Sequence, residues 1–355
     1  MVSNIPADSH YMQLPREVLI GQKVAPLVGE TLVRLGVHGN ALIVTGPKVK
    51  GIAAATVIES LEEAKFATST IVVNGATTDQ VQQVEQEIHR FKPNIIIGIG
   101  GGKDIDVAKL SSIHTSKQFL SVPTAASHDG IASPLISMKG LDRPYSYIAH
   151  APMAIVADTS IIGKSPYRLI ASGCGDIVAK YTAVRDWKLA HRIKNEYYGD
   201  YAAELAIMSS RLVMKNASGI RMLSNSGVRT LVEALISCGV AMSIAGTSRP
   251  CSGAEHLFSH CLTMIAPTPA LHGEQCGVGT ILCAYLHGAN WQLIKDVLHT
   301  IGAPTTAKEL GISSQHILEA LTKAHSIRPE RYTILGESGL TKEAAERVAS
   351  ITGVI

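Results

Sequence analysis

The sequence predicts an α/β half followed by an all-helical half, and three observations carry that expectation. Short apolar strands closed by Gly or Asp alternate with helical stretches as far as Asp158. One strand, Asn94–Ile99, is an unbroken apolar run, as expected for a strand covered on both faces of a parallel sheet. Beyond Pro166 only helical periodicity remains.

In chain order, Ala41–Thr45 reads as a strand ended by Gly46-Pro47, and Val49–Ala64 as a helix. Thr70–Asn74 is the next strand, and Asp79–Phe91 is helical with Val81, Val84 and Ile88 on one face. Strand Asn94–Ile99, helix Ile105–His114 and strand Phe119–Val122 follow. Strands and helices joined by short links form right-handed βαβ units, so the first half is a Rossmann-like, doubly wound, mostly parallel sheet. Pro134–Met138 and Tyr145–Ala149 flank the turn signal Lys139–Pro144 and read as a β-hairpin. Ala154–Ala157 is the last strand. The second half carries helices over Leu169–Lys188, Tyr201–Asn216, Gly227–Ser243, Gly253–Met264, Glu274–His287, Trp291–Ile301, Ser314–Lys323 and Lys342–Thr352. The expected division is 1–164 and 165–355, which suits a chain of 355 residues at roughly 100–200 residues per domain.

Composition excludes several classes. Charged residues are 17%, below the roughly 25% of ordinary domains, while apolar residues are 46% and mean hydropathy is +0.19. That surface needs a large core or a homo-oligomer. Net charge is +3, with no run of basic residues, so no nucleic-acid partner is expected. No unbroken apolar stretch approaches ~18 residues, so no membrane insertion is expected. The N-terminal residues lack a basic stretch followed by an apolar one, so no signal peptide is expected. Cys174, Cys238, Cys251, Cys261, Cys276 and Cys283 form no CxxC and read as buried thiols of a cytoplasmic protein.

Three stretches carry chemistry. The strand NIIIGI runs into Gly100-Gly101-Gly102-Lys103-Asp104-Ile105-Asp106 and a helix. Glycines there let a phosphate approach the backbone, and the helix offers free N–H groups; the other reading is a tight turn with Asp104 as a cap. Ser121–Pro134 follows the next strand, is rich in small hydroxyl residues and contains His128 and Asp129. It suits a flat ligand, or is an Asx-turn loop. In the helical half, Gly173-Cys174-Gly175-Asp176 is followed by His256 and His260, four apart, and then His272. The glycines beside Asp176 read as open space. Asp176, His256 and His272 offer an oxygen and two nitrogens, a catalytic zinc set with one position open. The pair His256 and His260 is the competing ligand set, although Leu257 breaks the His-Glu-x-x-His pattern.

GGGKDIDVAK, SVPTAASHDGIASP, GCGD, GAEHLFSH and LHGEQ occur in this order. Together they resemble the glycerol dehydrogenase, dehydroquinate synthase and iron-containing alcohol dehydrogenase superfamily. The run from Pro123 to Pro134 is similar to the sn-glycerol-1-phosphate dehydrogenase family in particular. The resemblance implies a dehydroquinate synthase-like fold with the active site in the interdomain cleft. It implies that Asp176, His256 and His272 hold Zn2+. Gly102, Lys103, Asp104, Ile105 and Asp106 would hold the pyrophosphate of NAD(H) or NADP(H), with Thr124, Ala125, Ala126, Ser127 and Ser133 as further cofactor contacts. Asp129, Asp176 and His260 would be the substrate-facing catalytic groups. The implied reaction reduces dihydroxyacetone phosphate to sn-glycerol 1-phosphate, the backbone precursor of archaeal membrane lipids.

Finer expectations follow. Lys139 and Arg143 are candidates for the substrate phosphate. Lys48 or Lys50, with no acidic residue at the end of the strand Ala41–Thr45, suits NADPH at least as well as NADH. The competing readings are a glycerol dehydrogenase acting on the unphosphorylated substrate, a dehydroquinate synthase using Lys180, Arg185 and Lys188, and a non-catalytic zinc-holding nucleotide sensor.

Overall fold

The computed structural model of the chain describes residues 10, 12–136 and 147–355. Its main sheet contains β1 (Glu17–Gly21), β2 (Asn40–Thr45), β3 (Ala67–Val72), β4 (Ile95–Gly100) and β5 (Gln118–Pro123). After the short pair β6 (Leu135–Ile136) and β7 (Tyr147–Ile148), it is completed by β8 (Ala154–Asp158). The order is β1-β8-β5-β4-β2-β3, and every pairing among these six strands is parallel. Helices α1 (Val28–Arg34), α2 (Ala55–Glu63), α3 (Thr78–Phe91) and α4 (Gly102–His114) connect the strands, and α5 (Thr159–Ile162) leaves the last one.

The helical half holds α6 (Tyr167–Lys194), α7 (Asp200–Lys215), α8 (Ala217–Arg221), α9 (Asn225–Ala245), α10 (Ala254–Ile265) and α11 (His272–Leu286). It continues with α12 (Trp291–Ile301), α13 (Ala307–Leu310), α14 (Ser314–Lys323) and α15 (Lys342–Ile351).

The α/β half followed by a helical half matches the expectation, and the differences have local causes. β1 escapes the sequence reading because it is a short, half-buried edge strand. β3 lies nearer the N-terminus than Thr70–Asn74, because its pairing with β2 runs from Asn40 opposite Ala67 to Thr45 opposite Val72. The stretch expected as one helix over Val49–Ala64 opens with a wide π-type turn, Lys50–Ala54. The hairpin is present as β6 against β7, Leu135 opposite Ile148. Its expected turn, including Lys139 and Arg143, lies outside the described residues.

The central strands are buried on both faces because side chains alternate across the sheet. Ile95, Ile97 and Ile99 of β4 join Ala41 and Ile43 of β2 under Leu32, Val57 and Leu61. Ile96, Leu42 and Val44 face the other way, against Val84 and Ile88 of α3 and Ile105 of α4. That second core is continuous with Ile177, Trp187, Leu235 and Phe258 of the helical half.

α9 is long and apolar enough to cross a membrane by length and composition, although no single unbroken apolar run had suggested it. Of its most apolar window, 72% is buried within the protein, so these side chains form core. The six cysteines are free and buried, as expected.

From β3 through β2 to β4, β5 and β8, the winding direction reverses between β2 and β4. In doubly wound sheets a ligand crevice forms at such a reversal, outside the carboxyl ends of the strands. The glycine loop after β4 and Gly46 after β2 both lie there.

Candidate active site

The glycine loop starts α4. Gly101 caps that helix, and its N–H donates to Asp104 Oδ2 at 3.2 Å. Burial raises the Asp104 carboxyl to about 6, against the lowering effects of the Gly101 N–H and Lys103. A Cβ added to Gly46 would lie 2.9 Å from Asp104 Oδ1, so the carboxyl group fills the gap beneath the loop. A Cβ at Gly101 would meet nothing within 4 Å, which leaves open room above the helix N-terminus. That is the cradle a pyrophosphate requires. Lys103 is exposed beside it, and Gly102 touches the His128 ring. Ile105 is core, and Asp106 is turned inward 3.6 Å from Lys109 Nζ.

The loop after β5 is anchored at both ends. Thr124 donates its N–H to Gly100 O at 2.9 Å, joining the two loops of the crevice. Buried Lys109 donates to the carbonyls of Gly130, Ser133 and Leu135 at 2.9, 2.9 and 2.8 Å. Ser133 is therefore packed at the base of the loop, while Ser127 and His128 are partly exposed and Ala125 and Ala126 are buried. The loop rests on α6, where Ser172 donates its hydroxyl to Ser127 O at 3.2 Å.

The glycines beside Asp176 do not create open space, contrary to the expectation. A Cβ on Gly173 would lie 2.0 Å from Ala126 O, and one on Gly175 would lie 2.2 Å from Gly273 O. One on Gly273 would lie 1.8 Å from Ser172 O. Glycine here lets the β5 loop and α11 touch the backbone of α6. Arg168 on α6 and Glu274 on α11 add a forked pair at 2.6 and 2.7 Å, and Glu274 also accepts the Leu271 N–H. These contacts bring His272, the first residue of α11, beside Asp176.

α10 completes the cluster. Buried Asp186 accepts the Ala254 N–H at 2.7 Å and so fixes the start of that helix. His256 Nε2 lies 3.3 Å from Asp176 Oδ1, and the His256 and His272 ring centroids are 5.1 Å apart. Donor atoms of Asp176, His256, His272 and Cys276 all lie within 4.8 Å of one another. Metal–donor bonds of about 2.0–2.3 Å would close such a cluster with small side-chain adjustments. His260 stays outside it, its ring 5.6 Å from that of His272. The tempting pair His256 and His260 is thus split between two places.

The surrounding charges favour a cation. Burial opposes a charge on His256, yet Cys276, Asp176 and Glu255 raise its pKa well above the usual value. Burial likewise opposes a charge on His272, and Cys276 raises it. Burial raises the Cys276 thiol, but His256 and His272 outweigh it and bring it down to about 6. His260 is pushed well down by burial, then by His272 and His256.

Four groups at the site had no part in the sequence reading of it, which placed Lys180 only in the dehydroquinate synthase alternative and Cys276 only among the buried thiols. Glu255 Oε1 accepts from His256 Nδ1 at 2.8 Å and from the Gly253 N–H at 2.7 Å. Its other oxygen accepts the Thr182 hydroxyl at 2.7 Å. A carboxylate on the far nitrogen of a ligating histidine fixes its tautomer and ring orientation. Ser259 is hydrogen-bonded to His272 Nδ1 at 3.1 Å. Lys180, fully buried, reaches Asp129 Oδ2 at 2.7 Å and Asp176 Oδ1 at 2.8 Å. Burial lowers the Lys180 pKa, but those carboxylates raise it well above the ordinary value. Burial pushes Asp176 up, and Lys180 with His256 pulls it well below the usual range. Lys180 and Cys276 stand one helical turn after Asp176 and His272, a spacing visible in the sequence. Glu255 and Ser259 carry no such signal. The Asp129 N–H donates to Asp176 Oδ2 at 2.8 Å, which ties the nucleotide-side loop directly to the metal cluster.

Comparison with known proteins agrees with this architecture. The family of iron-containing alcohol dehydrogenases matches residues 19–166. A protein of Thermococcus kodakarensis called glycerol-1-phosphate dehydrogenase (NAD(P)+) is 53% identical over 346 residues, covering 98% of this chain and 99% of its own. One of the same description from Pyrococcus furiosus is 54% identical, covering 98% and 100%. Among solved structures, glycerol dehydrogenase from Schizosaccharomyces pombe superposes with a TM-score of 0.81 at 20% identity, covering 97% of this chain and 92% of that one.

Proposed function

The chain belongs to the glycerol-1-phosphate dehydrogenase family, and from its site we infer that it reduces dihydroxyacetone phosphate to sn-glycerol 1-phosphate with NADH or NADPH. The product is the glycerophosphate backbone of archaeal membrane lipids. The observation that carries this reading is the 2.8 Å bond from the Asp129 N–H to Asp176, which joins the nucleotide crevice to the metal cluster.

Asp176, His256 and His272 are the zinc ligands in this reading, and Glu255 holds the His256 ring. Bound zinc supplies Lewis-acid stabilisation of the charge that develops on the substrate C2 oxygen, and the nicotinamide supplies the hydride. Gly101 and Gly102 with the start of α4 hold the pyrophosphate, and the β5 loop from Thr124 to Ser127 supports the rest of the nucleotide. Asp104, Ile105, Asp106 and Ser133 shape that cradle from below, and Lys103 borders it. Lys180 keeps Asp176 ionised in a buried place and holds Asp129 by an ion pair at 2.7 Å. His260, with its pKa pressed down, is a neutral imidazole at neutral pH and can hydrogen-bond to the substrate hydroxyl. Asp129, held by Lys180 with its side chain 17% exposed, is the second substrate-facing carboxylate.

The finer assignments rest on the same reading. The chain divides at about residue 164, with substrate bound between the halves. Exposed Lys48 and Lys50 lie beyond the carboxyl end of β2, which supports use of NADPH at least as well as NADH. Six free thiols fit a reducing cytoplasm. Tyr201, Met208 and Leu212 form an exposed apolar stripe along α7, which supports a homo-oligomer and is tested by light scattering.

The deciding experiment follows NAD(P)H consumption with dihydroxyacetone phosphate before and after chelation, with chiral analysis of the product. Formation of sn-glycerol 3-phosphate, or full activity in metal-free protein, refutes the reading. His256→Ala is expected to abolish metal-dependent activity and to lose zinc by elemental analysis.

A further inference from the structure

One buried cation takes no part in the chemistry above. Lys109 lies on α4, seven residues after Gly102, and is wholly buried. It therefore stands about two helical turns from the pyrophosphate cradle, on the same face of the helix as Gly102. Its Nζ donates to the carbonyls of Gly130, Ser133 and Leu135 at 2.9, 2.9 and 2.8 Å. An ammonium group has three N–H donors, and these three carbonyls use all of them. Asp106, one turn earlier on α4, lies 3.6 Å from Nζ. The carbonyls belong to an irregular loop that has no ladder to pair them, and a buried carbonyl without a donor is costly. Satisfying them offsets the burial of the charge.

The same helix holds the loop at a second point. The Gly130 N–H donates to His128 Nδ1 at 3.0 Å, and the His128 ring rests on Gly102, where an added Cβ would lie 1.9 Å from Nε2. Asp129 is thus the residue between two that α4 holds, His128 through Gly102 and Gly130 through Lys109. Asp129 O closes the turn by accepting the N–H groups of Ala132 and Ser133 at 3.1 and 3.0 Å. Ser121 on β5 donates its hydroxyl to Ile131 O at 2.8 Å. With the loop carbonyls gathered onto Lys109, Asp129 turns to the metal cluster. Its N–H reaches Asp176 Oδ2 at 2.8 Å and its carboxylate lies 2.7 Å from Lys180 Nζ. A chain of direct contacts therefore runs from the head of α4 through Lys109 and Gly130 to Asp129.

We propose that Lys109 is a positioning residue for Asp129: by gathering three loop carbonyls onto α4, it holds that carboxylate in a fixed place relative to the nucleotide bound at the head of the same helix. This rests on the reductase reading above, in which Asp129 faces the substrate. The hydrogen bonds of Lys109 go to the loop, so its effect on turnover passes through Asp129.

The test is a double-mutant cycle in full-length, zinc-loaded enzyme: wild type, Lys109→Met, Asp129→Asn and the double variant. Each is assayed with dihydroxyacetone phosphate and NADPH, at enzyme concentrations that resolve slow variants. Lys109→Met is expected to lower kcat about tenfold or more, since a misplacement of about 1 Å costs up to about 100-fold. Zinc content by elemental analysis and the NADPH Kd by fluorescence titration are expected to stay at their wild-type values. In the Asp129→Asn background the same substitution is expected to change kcat by no more than about twofold, because no carboxylate is left to place. Lys109→Arg keeps the charge but not the three-way geometry, and is expected to recover part of kcat. If Lys109→Met melts below the assay temperature, Lys109→Arg takes its place in the cycle. Losses that multiply in the double variant overturn the proposal. So does a fall in zinc content or NADPH affinity that matches the fall in kcat, which is what a merely structural lysine would give. Wild-type enzyme inactive on dihydroxyacetone phosphate refutes the reductase reading itself, a separate outcome.

Discussion

Glu255 is the residue on which the metal cluster turns. It accepts three hydrogen bonds and touches no predicted ligand other than His256. Glu255→Gln is expected to weaken zinc binding about 10–100-fold, measured against a chromophoric chelator, because His256 loses its oriented tautomer. Wild-type affinity in that variant contradicts the role. Asp104 makes a pH prediction. Its carboxyl has a pKa of about 6 in the fold, against 3.8 as the ordinary value, so the folded chain holds that proton more tightly. The stability it contributes is present below the unfolded value and is lost as pH rises through about 6. Asp104→Asn keeps an oxygen for the Gly101 N–H. In nucleotide-free protein it should lose less stability than wild type across that interval, as read by denaturant melts. Equal slopes would mean that the wild-type carboxyl is already ionised there.

At the scale of elements, the site depends on how closely α6, α11 and the β5 loop approach. Glycines perform two unlike tasks there, and substitution separates them. A methyl on Gly175 collides with the α11 backbone at 2.2 Å, so Gly175→Ala is expected to cost about 1–3 kcal/mol or more and to weaken zinc binding. A methyl on Gly101 meets no chain atom within 4 Å. Gly101→Ala should therefore leave stability nearly unchanged while weakening NAD(P)H binding, read by nucleotide fluorescence titration. The sequence marks all of these positions as glycine but cannot tell a backbone contact from a ligand cradle. That distinction is decided by what lies opposite each Cα.

For the whole molecule, one core joins Ile96 and Ile105 of the sheet half to Ile177, Trp187 and Phe258 of the helical half. Zinc and nucleotide are expected to bind opposite walls of one site and to bind only the folded chain. Each should raise the thermal midpoint, by the equivalent of about 2.7 kcal/mol at one hundred times its dissociation constant. In His256→Ala the zinc shift should vanish while the NADP(H) shift remains, as read by calorimetry. Loss of both shifts would indicate that the substitution damages the fold.

Much of this was legible in the chain itself. Apolar runs closed by glycine announce a parallel sheet, because burial on both faces leaves no room for polar alternation. The order of GGGKDIDVAK, SVPTAASHDGIASP, GCGD, GAEHLFSH and LHGEQ announces the family. Edge strand β1 was missed because a short half-buried strand has a weak pattern. The sequence by itself determined which residue types are available at each ligating position, since that chemistry belongs to single side chains. Only the tertiary structure decided that Lys180 bridges Asp129 and Asp176, that Glu255 takes its hydroxyl donor from 73 residues away, and that Cys276 joins the histidines. Such distances are set where helices remote in the chain meet. Here they meet closely because glycine lets their backbones touch.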